Sequence, residues 1–139
     1  MDDSKTTTTT ETERDRMFGF EKLSVWHKSI DFADAVYKVT RGFPEDERFG
    51  LTSQMRRAAV SISSNIAEGS ARFSRADYAR FLEIAAGSVF EVVSQSFICR
   101  KRGFLGEAEF QAIYAAADEQ GRMLSGLRNS ILQEGRHPT

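Results

Sequence analysis

Few groups in this chain could carry out a reaction. His27 and His137 are its histidines and Cys99 its one cysteine, too few for a metal-ligand cluster or for a Ser-His-Asp or Cys-His set. Glu68, Glu83 and Glu91 fall on helical stretches where carboxylates could hold two metal ions, but the Glu-x-x-His pairs that complete such bundle sites are missing. Cys99 lies inside an apolar helical pattern, where a lone thiol acts as a small buried hydrophobe and makes no intrachain disulfide. His27, beside Trp26, reads as a packing or surface residue. The glycines fall at helix ends rather than in a phosphate-cradling loop. A non-enzymatic protein without metal or cofactor is expected.

Phosphate recognition is the chemistry that the remaining charges could support. In an antiparallel bundle, the end of the first helix, the start of the second and the end of the third share one pole. That pole gathers Arg41, Arg48, Arg56, Arg57, Arg100, Lys101 and Arg102, together with Glu45, Asp46, Glu47, Glu107 and Glu109. Repeated around a ring of subunits, the small basic excess would form a polyanion-binding rim. The alternative is a set of solvated helix ends closed by ion pairs. Arg56, Arg57, Arg100, Lys101 and Arg102 are the candidate nucleic-acid contacts, with RNA or DNA as partner. No aromatic platform accompanies them in a recognisable nucleic-acid motif. Glu68 with Arg72 or Arg75 forms a structural pair at the opposite pole.

The elements that must position these residues are helices. Pro44 and Pro138 are the only prolines in 139 residues, so a long stretch lacks the strongest helix breaker. A first helix is expected from Ser24, as N-cap, to about Arg41, with Trp26, Ile30, Ala33, Tyr37 and Thr40 on one face and Phe32, Val36 and Val39 broadening it. Gly42-Phe43-Pro44 ends it. A second runs from Leu51 to about Glu68, with Leu51, Met55, Ala58, Ile62 and Ile66 as seam and small flanking residues that let neighbours approach closely. Gly69 is expected to stop it in a left-handed conformation. Ser74-Arg75-Ala76-Asp77 is a capping-box variant that opens a third helix ending near Arg102, before Gly103. The third carries two apolar seams, one through Tyr78, Phe81, Ala85, Ser88, Val92 and Cys99, the other through Leu82, Ala86, Val89, Val93 and Phe97. A fourth spans Glu107 to about Gln133, with Phe110, Ile113, Ala117, Leu124, Leu127 and Ile131 facing inward.

Short turns between such helices predict an all-α, antiparallel up-down-up-down four-helix bundle over residues 17–134. Met1 to Arg16, with Thr6 to Thr10 in a row, buries too little to order itself and reads as a disordered tail, and residues 135–139 as a frayed end. The tail's five acids and three bases leave 16 Lys/Arg against 15 Asp/Glu in the remainder, which is close to neutral. No apolar run approaches the roughly 20 residues of a membrane span and the start is acidic, so a cytoplasmic protein without membrane partner is expected. The unequal helix lengths and the double seam leave surface that one copy could not cover, which predicts a homo-oligomer.

An ordered set of motifs adds to this reading. It comprises Phe20-Glu21-Lys22-Leu23-Ser24-Val25-Trp26, Val36-Tyr37-Lys38-Val39-Thr40, Phe43-Pro44 and Phe49-Gly50-Leu51. It continues with Gln54, Arg56-Arg57-Ala58-Ala59, Ser61-Ile62, Ser64-Asn65-Ile66-Ala67-Glu68-Gly69, Phe81-Leu82, Ala85, Gly87-Ser88 and Glu91. In these the chain resembles the four-helix bundle proteins also called the 23S rRNA-intervening sequence protein or ribosomal-protein-like family. The resemblance spans about residues 18 to 132. It implies a homopentameric four-helix bundle and kinship with the accessory variability protein of diversity-generating retroelements, a pentameric barrel that binds nucleic acid and a reverse transcriptase. The chain departs from the family pattern at Ser63, where proline is expected, and at Ala86, where arginine is frequent. The first restores a backbone donor in the second helix; the second removes a candidate phosphate contact. The function read from the sequence is a homo-oligomeric scaffold for structured RNA or a nucleoprotein, or else a protein-binding oligomer in which the same arginines pair between subunits.

Overall fold

The computed structural model describes residues 18–134. The expected disordered tail over 1–16 and the frayed end over 135–139, with His137, lie outside the described residues. Four helices carry the fold: α1 Ser24–Thr40, α2 Leu51–Ser70, α3 Arg75–Lys101 and α4 Glu107–Glu134. Two 3₁₀ turns, Gly19–Lys22 and Glu45–Glu47, precede α1 and α2, and no strand occurs among the described residues. The protein is all-α, as its periodicity predicts.

Each helix packs on two others, α2 and α4 on α1, α2 and α4 on α3, which closes a four-membered ring around the core. Contacts along α2 and α3 run in opposite order. Gly69 meets Tyr78 and Phe81, Ser61 bonds Ser88 at 2.9 Å, and the Cys99 thiol approaches the Met55 sulfur at 3.5 Å. The same reversal relates α3 to α4, where Arg100 pairs with Glu107, Glu83 with Arg128 and Arg75 with Glu134. At the pole the arginines were expected to share, Phe43 before α2 meets Phe104 after α3, ring centroids 5.7 Å apart.

The seam of α2 is the expected one: Met55, Ala58, Ile62 and Ile66 are buried, with Ala59 beside them. Ser63 leaves the helix unbroken and turns its hydroxyl to the Val60 carbonyl at 3.0 Å. Gly69 does not stop it. The helix runs one residue further to Ser70, and the only positive φ among the described residues belongs to Gly103. Gly69 is buried, and a Cβ there would lie 2.7 Å from the Cβ of Phe81. Its role is close helix approach rather than left-handed termination. Gly103, at φ +81°, does end α3, with the Phe104 N–H reaching back to the Cys99 carbonyl at 2.8 Å.

In α1 the buried face is Val25, Ser29, Phe32, Val36 and Thr40: the expected Phe32, Val36 and Thr40 are on it, Val25 and Ser29 join them, and the expected Ile30 and Tyr37 are exposed. The reason is local satisfaction of polar groups. Ser29 donates to the Trp26 carbonyl at 2.6 Å and Thr40 to the Val36 carbonyl at 2.8 Å, so both hydroxyls can face the core. Ser24 is not the cap either: Leu23, extended and with no capping side chain, precedes the helix, and Ser24 is its first residue. Ser74 does cap α3, accepting the Asp77 N–H at 3.0 Å, while the Asp77 carboxylate faces Arg80 at 3.7 Å.

Arg75–Lys101 is long and apolar enough, by length and composition, to cross a membrane, against the expectation that no segment comes near a span. Packing on both α2 and α4 accounts for that apolarity: residues from Ala79 to Cys99 on its inner side are buried between the two. In α4, Gln120 is buried among the expected apolar positions, its amide donating to the Val25 carbonyl at 3.2 Å and tying α4 to the start of α1.

Candidate nucleic-acid interface

The shared pole exists, but its five candidate contacts divide among different grooves. Arg56 leaves α2 towards α1. Its Nε donates to Thr40 Oγ1 at 2.9 Å, one terminal nitrogen reaches the Tyr37 carbonyl at 3.4 Å, and the guanidinium lies 4.5 Å from the Tyr37 ring centroid. All these partners are neutral, so its charge is held in place without being cancelled. Arg100 leaves α3 towards α4, where it lies 3.8 Å from the Phe110 ring centroid and 3.4 Å from the Glu107 carboxylate. It is therefore spoken for. Lys101 and Arg102 stand exposed at the end of α3, the latter 5.7 Å from the Phe104 ring, and neither makes an ion pair with a described residue.

Arg57 is exposed on the ridge between two depressions. On the α3 side it borders a polar groove with Gln54, Ser61, Glu91 and Gln95. On the α1 side it joins Arg48 and Arg56 in a groove of about 600 Å³ whose other walls are Tyr37, Phe49, Thr52, Ser53, Val60 and Ser61. Three arginines and no carboxylate line this second groove, and of the three only Arg48 has an acidic partner among the described residues, Glu45 at 3.5 Å.

Aromatic side chains stand among these arginines after all. Phe49 is 87% exposed with the Arg48 guanidinium 5.4 Å from its ring centroid, and Tyr37 lies under Arg56. The set is hidden in the sequence because periodicity places Tyr37 on the inner face of α1, and only the observed phase of that helix turns it outward beside the start of α2. Arg48 and Phe49 were legible as neighbours, but not as the wall of a groove.

Other charged and polar groups are structural. Glu68 pairs with Arg72 at 2.7 Å, and Arg75 reaches Glu134 instead. His27 bonds the Glu21 carbonyl at 2.7 Å and packs edge-on to Trp26. Burial pushes the Cys99 thiol up to about 11, with the Glu47 charge adding to the effect. No group of three or more His, Cys, Asp or Glu side chains that could hold a metal occurs among the described residues.

Between α3 and α4 lies a different surface, an apolar groove of about 870 Å³. Phe90, Phe97 and Tyr114 rim it, Ala86, Ala117 and Gly121 help form its floor, and Phe90 is 75% exposed. Asp118 and Arg122, paired at 2.9 Å, also line it, so the apolar part is the stretch through Ala86, Val89, Phe90, Val93 and Phe97.

The family model for the 23S rRNA-intervening sequence protein matches residues 21–126. The chain belongs to that family. A crystal structure of a protein of unknown function from the S23 ribosomal protein family of Bacteroides thetaiotaomicron is similar to it, with a TM-score of 0.68 and 25% identity over 75% of this chain and 97% of that one. No curated protein matches the chain. The matched span in this family member runs from the 3₁₀ turn before α1 to most of the way along α4, so it takes in both grooves.

Proposed function

We propose that this family member is a non-enzymatic, cytoplasmic, homo-oligomeric scaffold that binds structured RNA through the α1–α2 groove. The observation that carries the reading is the groove itself: Arg48, Arg56 and Arg57 converge with no carboxylate among its walls. An uncancelled guanidinium held by neutral acceptors, as that of Arg56 is, suits phosphate oxygens, because its ordering cost is met before the ligand arrives. Lys101 and Arg102, at the same pole, extend the basic track towards α3. Arg100 contributes packing rather than phosphate contact.

Salt-dependent binding tests it. Fluorescence anisotropy with a labelled structured RNA gives affinity that falls with salt, with a log–log slope of about −2 or steeper for three or more phosphate contacts per site. Arg57→Glu lowers affinity and flattens that slope. Absence of binding at low salt refutes the reading.

A second reading rests on the apolar α3–α4 groove, whose exposed Phe90 and Tyr114 call for a covering partner. Another copy of the chain fills that place, and a closed ring such as the pentamer requires two different faces of each copy to meet. If the α1–α2 face is the second of these, its arginines pair between subunits and the protein is an interaction oligomer with no nucleic-acid role. Light scattering separates the two. Arg56→Ala with Arg57→Ala dissociates the oligomer in the second reading, and leaves it assembled but unable to bind RNA in the first.

A further inference from the structure

We infer that the α1–α2 groove takes an unpaired nucleotide, its base stacked on Phe49 and its phosphate held by Arg56 and Arg57. The inference rests on the RNA reading above and narrows it to the flipped or looped-out bases of a structured RNA. A phosphate track alone does not need an aromatic side chain in water. Phe49 is 87% exposed, two residues before α2, and contributes little buried area to the core. Arg48 lies over its ring, which limits the ring's motion and leaves room for a base on the face turned away from the guanidinium. The groove volume of about 600 Å³ is within the range of small-ligand sites. Ser53 and Thr52, also on its walls, supply hydroxyls to a base edge or ribose.

The exposed ring favours an unpaired nucleotide over a regular duplex. Bases inside an A-form helix are stacked on each other and present no face to a side chain, so an exposed ring at the mouth of an arginine groove discriminates for unpaired nucleotides. Arg56 is fixed over Tyr37 by the Thr40 hydroxyl and the Tyr37 carbonyl. The phosphate-binding guanidinium is therefore in place before the ligand arrives, beside a wall of the groove that carries Phe49.

The test uses the full chain with two fluorescein-labelled probes, a single-stranded oligouridine and a blunt RNA duplex of equal length. Loss of one base stack corresponds to roughly a 5- to 150-fold change in affinity. Phe49→Ala is expected to weaken the single strand within that range and leave the duplex unchanged. Phe49→Trp restores single-strand binding. The salt slope stays constant in both variants, because no charge is removed. Circular dichroism and light scattering on the same samples show that helix content and assembly are retained, since Phe49 is exposed. Wild-type single-strand affinity in Phe49→Ala, or equal losses for both probes, overturns the nucleotide pocket; if Arg57→Glu still lowers affinity and flattens the salt slope, the phosphate reading survives that failure. Binding of neither probe by the unaltered chain at low salt overturns both.

Discussion

Replacing Gly69 by alanine measures how closely α2 and α3 approach. In the absence of other effects, Gly→Ala within a helix stabilises by about 1 kcal/mol, because glycine loses more backbone freedom on folding. At Gly69 a Cβ would lie 2.7 Å from Phe81 Cβ, 3.2 Å from a ring carbon of Tyr78 and 3.4 Å from the Tyr78 carbonyl oxygen. Phe81 Cβ is anchored to the backbone of α3, so no side-chain rotation relieves the contact and the two helices must separate. Overpacking of this kind costs about 1–3 kcal/mol, so the propensity gain is cancelled or exceeded and the net change is about 0–2 kcal/mol of destabilisation. Gly87, exposed in the middle of α3 with nothing within 4 Å of its Cβ position, is the matched control. Gly87→Ala gains about 0.5–1 kcal/mol. The difference between the two variants, about 1–3 kcal/mol, isolates the contact. Urea unfolding followed by circular dichroism at a fixed protein concentration, which matters for an oligomer, gives both values. Equal stabilisation by the two substitutions would refute the close approach.

Further outcomes follow from two buried groups, the Cys99 thiol and the Gln120 amide. Cys99 is wholly buried against Met55 and its thiol is pushed up to about 11; a disulfide reagent at neutral pH should label it only as fast as the chain unfolds. Because the native thiol holds its proton more tightly than the unfolded one, stability is complete below the ordinary value of 9.0 and is lost as pH rises from there through about 11. Cys99→Ala flattens that part of the stability profile. Gln120→Ala removes the amide that donates to the Val25 carbonyl at 3.2 Å and leaves that carbonyl and a small void buried. A loss of about 1–3 kcal/mol is expected, read by the same urea titration, and Gln120→Glu at neutral pH should cost at least as much because it buries a charge without a donor for the carbonyl.

Residue pattern alone sets the helices, their approximate ends and the seam of α2. Apolar residues at three- and four-residue steps admit one helical phase when the facing residues are all hydrophobic, as in Met55, Ala58, Ile62 and Ile66. In α1 the buried face includes Thr40, Phe32 and Val36 as the pattern predicts, but its centre lies one position round, at Val25 and Ser29. Ser29 carries a hydroxyl that bonds to its own helix, and nothing in residue type says whether such a group will turn to the core. That offset hides Tyr37, and with it the aromatic part of the candidate site. Gly69 shows the complementary limit. Glycine near a helix end is compatible with a left-handed stop and with a tight crossing, and only the position of Phe81 on the neighbouring helix decides between them. The basic residues were legible as a set at one pole, since chain connectivity alone brings those helix ends together. Tertiary structure decided their roles, because the direction in which each arginine leaves its helix determines whether it meets a carboxylate, as Arg100 does at Glu107, or a carbonyl and a ring that leave its charge available, as Arg56 does at Tyr37.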